Sequence, residues 1–120
     1  TRNMNDGLVV MAEKLRKLCE PKNLIIKLGA DGVLIHKSDG SSINSDQIPA
    51  LNVNPVDVSG AGDSLLVGTA LMLTLGSDIY NASFFGSIMA SIQVSREGNI
   101  PIKIDEIKNL IYDFISYEKK

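Results

Sequence analysis

Apolar residues recur along the first part of the chain with two different periods. Between residues 6 and 19 they follow a helical stripe, which predicts a helix that Asn5 or Asp6 could cap and that Pro21 ends. The segment 23–28 is short, mostly apolar and rich in β-branched residues, as is typical of a buried strand. The pattern therefore predicts a helix followed by a strand.

Turn-forming residues divide the next part of the chain into two more extended segments. The turn at 29–32 leads to a second strand at 33–37, and the turn at 38–41 leads to a third extended segment at 42–48. We expect these strands to form an antiparallel hairpin or meander. Two prolines exclude a central, fully paired strand from residues 49–58.

The rest of the chain predicts three helices. Residues 61–75 are apolar on all sides, so we expect a buried helix that Gly76 terminates. A second apolar helix is expected at about 78–96, with its cap in the pair Ser77–Asp78, and a last one begins where Asp105 could cap it. A helix, a small β meander and three helices together predict an α/β fold in one domain, residues 1–120.

Composition narrows the classes of function. The 120 residues carry a net charge of −2, without a basic block, so we do not expect a nucleic-acid surface. The uninterrupted apolar runs are too short to predict a membrane span. Cys19 is the only cysteine and is expected to be a buried small hydrophobe, in a reducing, cytoplasmic location. His36 is the only histidine, which excludes a multi-histidine metal cluster and suggests a structural role, and Arg96 is expected in an ion pair or a helix cap.

The segment Asp57-Val-Ser-Gly-Ala-Gly-Asp63 stands between an extended segment and a helix. Its small residues let the backbone approach a ligand closely, and the amides at the start of the helix have no helical acceptor. Such a helix start binds anions. Asp63 is then suited to accept a proton from an attacking hydroxyl, or, alternatively, serves only as a carboxylate beside the helix dipole.

This segment closely resembles the second signature of the PfkB-type, ribokinase-like carbohydrate kinases. The resemblance continues in Ile25–Val33, which is similar to the family's strand and Gly-rich turn beside the ATP phosphates, and in Ser95–Gly98, which resembles a later turn. It implies the C-terminal portion of a three-layer α/β/α fold. Family members are more than twice as long, so the portion that holds the substrate, the lid and an Asn-x-x-Glu motif linked to magnesium is expected to be absent.

The resemblance also implies a role for individual residues. The implied catalytic residues are the base Asp63 and an anion hole formed by Gly60, Ala61 and Gly62. The implied nucleotide-binding residues are Lys27, Gly29, Gly32 and Ser87. A monovalent cation, usually potassium, is implied at Asp57, the carbonyl of Ser59 and the turn at Gly98. The cofactors implied are ATP and Mg²⁺, with K⁺ in many members of the family.

Three positions depart from the family pattern. Val58 stands where the family has Thr, Lys27 stands where Thr is frequent and could instead be a surface residue, and Ser87 stands where Asn commonly lines the adenine pocket. Gly86 and Ser87 are nevertheless small enough to leave room for a base.

Three hypotheses for function follow. The first is ATP-dependent phosphorylation of a sugar or sugar-like hydroxyl; the acceptor stays open, although the Asp-Val-Ser variant resembles heptose-phosphate kinases. The second is a non-catalytic nucleotide-binding or interaction module. The third is a piece without activity of its own, whose apolar helix surfaces are covered by self-association or by a missing N-terminal part.

Overall fold

The chain forms two compact units, one up to Pro49 and one from Ala50, in a computed structural model. The structure describes residues 2–39, 42–52, 54–98 and 100–118. The expectation of a single domain over residues 1–120 stays a prediction. The helices and strands are α1 (Arg2–Cys19), β1 (Leu24–Lys27), β2 (Val33–Asp39), β3 (Ser42–Ile48), α2 (Ala61–Thr74), α3 (Ile79–Val94) and α4 (Ile104–Glu118).

The first unit contains a three-stranded antiparallel meander in the order β1-β2-β3, which confirms the predicted arrangement. In the central strand, four consecutive residues from Val33 to His36 are buried. Successive side chains of a strand point to opposite faces, so both faces of β2 are covered. A tight turn at Gly29–Asp31 connects β1 to β2.

Helix α1 ends at Cys19, before Pro21 as predicted, but it differs from the prediction at its start. It begins at Arg2, so Asn5 and Asp6 lie within the helix rather than at its cap. Cys19 is exposed, contrary to the expectation of a buried thiol. It lies on the same face as the buried Ala12, but it is the last residue of the helix, where the neighbouring Leu18 is exposed as well. Glu20 follows with a positive φ of 52° and closes the helix with a bond from its N–H to the carbonyl of Arg16.

Helices α2 and α3 cross with their backbones in close contact. A Cβ added at Gly86 would meet the hydroxyl of Thr69 and lie 2.6 Å from the carbonyl oxygen of Leu65. One added at Gly68 would lie 3.0 Å from the Cα of Gly86 and 2.7 Å from the Sδ of Met89. The two glycines therefore set the distance between these helices.

Helix α2 is buried on only one side, so the prediction of a helix buried all round is wrong for this chain. Its buried residues are Leu65, Gly68 and Thr69, which face α3 at the crossing. The other side is apolar but exposed, with Leu66 exposed to 68%. We call this surface the α2 apolar face, and it comprises Leu66, Val67, Leu71 and Leu75.

The helix ends in the second unit are set by three kinds of cap. Gly76, with a φ of 91°, terminates α2 as predicted. The carboxylate of Asp78 accepts a 2.9 Å bond from the N–H of Asn81 and so caps α3. Asp105 lies inside the first turn of α4 instead of capping it, because Glu106 reaches back to the N–H of the residue before the helix.

Helix α4 packs on α3 through a cluster of isoleucines. Ile88, Ile92 and Ile107 form its buried centre, and six partly buried apolar residues surround them. Arg96 follows α3 and forms an ion pair with Glu106, with 2.6 Å between Nη1 and Oε1, which confirms the predicted ion pair. Among the described residues, no helix is both long enough and apolar enough to cross a membrane.

Candidate functional site

The turn before α2 leaves backbone donors free at the start of this helix. Gly60 is the N-cap and adopts the left-handed conformation, with a φ of 78°. The first helical bond runs from the N–H of Ser64 to the carbonyl of Gly60, over 3.0 Å. The N–H groups of Gly62 and Asp63 precede that bond and so have no acceptor within the helix, while Ala61 donates only over a long 3.3 Å. The geometry suits an anion.

Asp63 lies in the first turn of α2 with an exposed side chain. Its carboxylate therefore adjoins the amides of Gly60, Ala61 and Gly62 and can be reached from solvent. A carboxylate in this place can accept a proton from a hydroxyl that approaches a bound anion. The structure thus places the four predicted catalytic residues around one helix start, and their roles stay predictions.

The carboxylate of Asp57 lies behind this turn and connects two separate segments of the chain. Its Oδ1 accepts a bond of 2.9 Å from the N–H of Ser59, and its Oδ2 accepts one of 3.2 Å from the N–H of Gly98. These amides, first that of Ser59 and then that of Gly98, hold the pKa of Asp57 below its usual value. The three residues predicted to hold a cation are therefore neighbours in space.

The segment before α2 is fastened to the end of α3 by further hydrogen bonds. The carbonyl of Val94 accepts from the N–H of Val56 at 2.7 Å and from that of Asp57 at 3.2 Å. The side-chain amide of Asn52 donates to the carbonyl of Ser91 over 3.2 Å. Sequence reasoning missed Asn52, because an Asn before a proline-containing loop gives no local signal for a contact 39 residues away.

A second missed residue is Gln93, which is 7% exposed near the end of α3. Its Nε2 donates to the carbonyl of Gly98 over 2.9 Å. The one available signal was a polar residue between Ile92 and Val94 in an otherwise apolar stretch.

The predicted phosphate-side glycines lie in the first unit, in the turn between β1 and β2. Gly29 and Gly32 have φ values of 59° and 90°, which explains why glycine occupies both positions. The turn is closed by a bond of 2.8 Å from the N–H of Leu28 to the carbonyl of Gly32. A Cβ at Gly29 would meet nothing within 4 Å, so the outer side of the turn is open. Lys27 is exposed at the end of β1.

Ser87, predicted at the adenine, lies on α3 in the second unit and is 9% exposed. The neighbouring Gly86 does not leave free space, contrary to the expectation of room for a base. Its Cα side is filled by Leu65 and Thr69 of α2, so its small size serves the helix crossing. The role of Ser87 in purine binding stays a prediction.

The buried side chain of His36 belongs to a polar network in the first unit. Its Nδ1 lies 2.5 Å from the hydroxyl of Ser45, its cross-strand neighbour, and its Nε2 lies 2.7 Å from a carboxylate oxygen of Glu13 on α1. Arg16 also contacts Glu13, with a shortest distance of 2.6 Å. Arg16 and then His36 lower the pKa of Glu13 to about 2. The network joins α1 to the sheet, in keeping with the structural role expected for His36.

The groups around the start of α2 differ in how well they suit a phosphate, a metal ion held by several side chains, and a monovalent cation. The free amides at the start of α2 suit a nucleotide phosphate. Within the described ranges, no group of three or more His, Cys, Asp or Glu side chains could hold a metal ion. The carboxylate of Asp57 lies beside the turns at Ser59 and Gly98, and its negative charge would suit a monovalent cation.

Comparison with known proteins identifies the family. The model of the "pfkB family carbohydrate kinase" matches residues 2–106. The chain belongs to this family. The bifunctional protein HldE of Campylobacter jejuni subsp. jejuni serotype O:6 is 35% identical over 118 residues, which cover 98% of this chain and 23% of that protein.

Solved structures place the fold within the same family. Ribokinase from Thermotoga maritima superimposes with a TM-score of 0.73 at 33% identity, over 84% of this chain and 33% of that one. Phosphofructokinase-2 from Escherichia coli, in complex with potassium, gives a TM-score of 0.76 at 23% identity, over 92% and 34%. The chain is therefore part of a ribokinase-like fold, and it spans about a quarter of the curated relative and a third of each solved kinase.

Proposed function

We propose that this chain forms the nucleotide-binding part of an ATP-dependent kinase that phosphorylates a hydroxyl group of a sugar or sugar-like acceptor in the cytoplasm. The observation that carries the proposal is the start of α2, where amides without a helical acceptor adjoin the exposed carboxylate of Asp63. Membership of the carbohydrate kinase family supports it.

In the proposed reaction, Asp63 accepts the proton of the acceptor hydroxyl. The hydroxyl oxygen then forms a bond to the γ-phosphorus of ATP, while the bond from that phosphorus to the bridging oxygen breaks and ADP leaves. The amides of Gly60, Ala61 and Gly62 stabilise the negative charge on the transferring phosphoryl group. The Mg²⁺ that accompanies the nucleotide would neutralise part of the phosphate charge.

Four further residues are proposed to contact the nucleotide. Lys27, Gly29 and Gly32 would lie beside the phosphates, and Ser87 beside the purine. The open outer side of the turn at Gly29 supports the first assignment, since no described residue apart from its neighbours in the turn lies within 4 Å of the place that a Cβ would take.

A monovalent cation is proposed at Asp57, with the carbonyl of Ser59 and the turn at Gly98. Its charge would balance that of Asp57 and stiffen the backbone behind the anion hole. The phosphofructokinase-2 structure contains potassium, which makes K⁺ the first cation to test here.

The proposed base is tested by Asp63→Asn in a kinase that contains this segment. Loss of a general base should lower kcat by about 10²-fold or more, with the melting temperature unchanged. Asp78→Asn is the matched control, because Asp78 also begins a helix but acts as its N-cap, a place that Asn fills equally well. A kcat of Asp63→Asn equal to that of the control would refute the assignment.

A second candidate is a nucleotide-binding module without turnover, which is favoured by the chain's coverage of only 23% of its curated relative. In that case the 120-residue chain binds ATP and ADP but transfers no phosphate to any sugar. Calorimetry of the chain with each nucleotide, in potassium and in sodium buffers, tests binding. Absence of heat with both nucleotides would exclude this module and the nucleotide half-site together.

A further inference from the structure

Gln93 is a buried primary amide in the last turn of α3, between two buried apolar neighbours, Ile92 and Val94. A buried amide without hydrogen bonds destabilises the folded state, so its partner matters. That partner is the carbonyl oxygen of Gly98, 2.9 Å from Nε2. The side chain therefore reaches beyond its own helix to the turn that follows it.

Gly98 is held at both of its polar groups. Its carbonyl accepts from Gln93, and its N–H donates to Oδ2 of Asp57 over 3.2 Å. Its φ of 77° is a conformation that glycine adopts freely, and a Cβ there would meet nothing within 4 Å. The space beside its Cα is open, and its two hydrogen bonds are the described contacts that hold it in place.

The hydrogen bonds continue from Asp57 to the start of α2. Oδ1 of Asp57 accepts the N–H of Ser59 over 2.9 Å, and Ser59 directly precedes the N-cap Gly60. Three bonds of 2.9, 3.2 and 2.9 Å thus connect Gln93 with the turn that leads into α2. Consecutive bonds share a residue: the first two meet at Gly98, and the last two meet at the carboxylate of Asp57.

We propose that Gln93 is a positioning residue, which holds the turn at Gly98 against Asp57 and so fixes the turn leading into α2. In the kinase, it would orient the amides of Gly60 to Gly62 toward the phosphate without touching the ligand. This last step rests on the proposed function, whereas the effect on Asp57 does not.

The competing explanation is that Gln93 only satisfies a carbonyl near the end of α3. Asp57 and Val56 are also bonded to Val94 through their backbone N–H groups, at 3.2 and 2.7 Å. If those bonds fix the segment by themselves, removing the amide of Gln93 leaves the environment of Asp57 unchanged. The two explanations therefore differ in what happens at Asp57.

The deciding experiment is Gln93→Met in the 120-residue chain, with hydrogen exchange of the Gly98 amide followed by NMR and ADP affinity by calorimetry at fixed potassium concentration. Release of Gly98 should speed the exchange of its amide hydrogen, because its N–H moves away from Oδ2 of Asp57. Losing one positioning hydrogen bond should weaken ADP binding about fivefold.

Ser95→Ala is the matched control, since its hydroxyl makes a local bond of 2.6 Å to the carbonyl of Ile92 and does not reach Gly98. Both readouts should equal those of the wild type. If Gln93→Met does not fold, Gln93→Asn replaces it, because the shorter side chain withdraws the amide from Gly98 and should give the same two changes.

An unchanged exchange rate of the Gly98 amide in the Gln93 variant overturns the proposal. Faster exchange together with unchanged ADP affinity overturns its ligand step. If the wild type itself does not bind ADP, the proposed function fails, and the exchange of the Gly98 amide still decides whether Gln93 positions the turn.

Discussion

The two units of the chain use their polar groups in opposite ways. In the first unit, His36, Glu13 and Arg16 satisfy one another and hold α1 on the sheet. In the second unit, the amides of Gly62 and Asp63 at the start of α2 have no acceptor within the helix, and the side chain of Asp63 is exposed. Polar groups that are mutually satisfied stabilise a structure, whereas groups left without partners at a helix start are available to a ligand.

The apolar residues of the units differ in a similar way. In the meander, the central strand is covered on both faces. In α2, one side packs against α3 at Gly86 while the α2 apolar face stays exposed. Helix α2 is therefore held on α3 through a narrow contact, which makes it sensitive to small changes there.

The largest effect on stability is expected from Gly86→Ala. The added methyl would overlap the hydroxyl of Thr69 and the carbonyl of Leu65, and a backbone carbonyl cannot rotate away as a side chain can. Overpacking of this kind should lower the free energy of unfolding by about 3 kcal/mol. Urea denaturation followed by circular dichroism measures it.

Gly7→Ala is the control for this variant. Gly7 lies in α1, and a Cβ there meets nothing within 4 Å. Replacing a helical glycine by alanine without a clash should raise the free energy of unfolding by about 0.5–1 kcal/mol. Equal effects of the two substitutions would contradict the close crossing of α2 and α3.

A smaller and pH-dependent effect is expected in the first unit. The pKa of Glu13 is lowered to about 2 from the ordinary 4.5, so its contribution to stability is complete above pH 4.5 and is lost as the pH falls toward 2. Unfolding of the wild type measured between pH 7 and pH 2 should therefore lose stability within that window.

Glu13→Gln removes the titrating carboxyl and should flatten this part of the pH profile, whereas Glu97→Gln, an exposed residue of the second unit, should leave it in place. A Glu13→Gln profile that is parallel to the wild type would show that the network with His36 does not contribute to acid stability.

The features that could be predicted from sequence are those set by neighbouring residues. The meander follows from turns at fixed spacing, and the ends at Gly76 and Asp78 follow from the conformational freedom of glycine and the capping oxygen of aspartate. The Gly-Ala-Gly-Asp63 turn was found because its small residues and its acid are contiguous.

The features that could not be predicted depend on contacts between distant residues. The partners of His36 lie 9 and 23 positions away, and Asp57 meets Gly98 across 41 residues. The exposed side of α2 was also missed. An apolar sequence indicates that a helix can be buried, but it does not show which part of the protein covers it. The prediction of the α4 cap was wrong because Asp105 and Glu106 are both acidic residues at the helix start, and the sequence does not show which of them accepts the backbone N–H.

Leu66→Lys is expected to have the smallest effect on stability. It also tests directly whether the exposed α2 apolar face behaves differently from the covered surfaces of the fold. Leu66 is 68% exposed, so the substitution should change the free energy of unfolding by no more than about 0.5 kcal/mol. The α2 apolar face should nevertheless drive self-association of the chain, or binding to a missing N-terminal part, because water is excluded when such a surface is covered.

Sedimentation velocity over a range of concentrations should show the wild type associating and Leu66→Lys shifted toward monomer. Val10→Lys is the matched control, since Val10 is also an exposed aliphatic residue, at 56%, but lies on α1 in the other unit. If both variants associate like the wild type, or if the wild type is monomeric at every concentration, the α2 apolar face does not mediate self-association. Covering of the face by a longer kinase chain would then be the explanation to pursue, because the exposed leucines belong to the helix that carries Asp63 at its start.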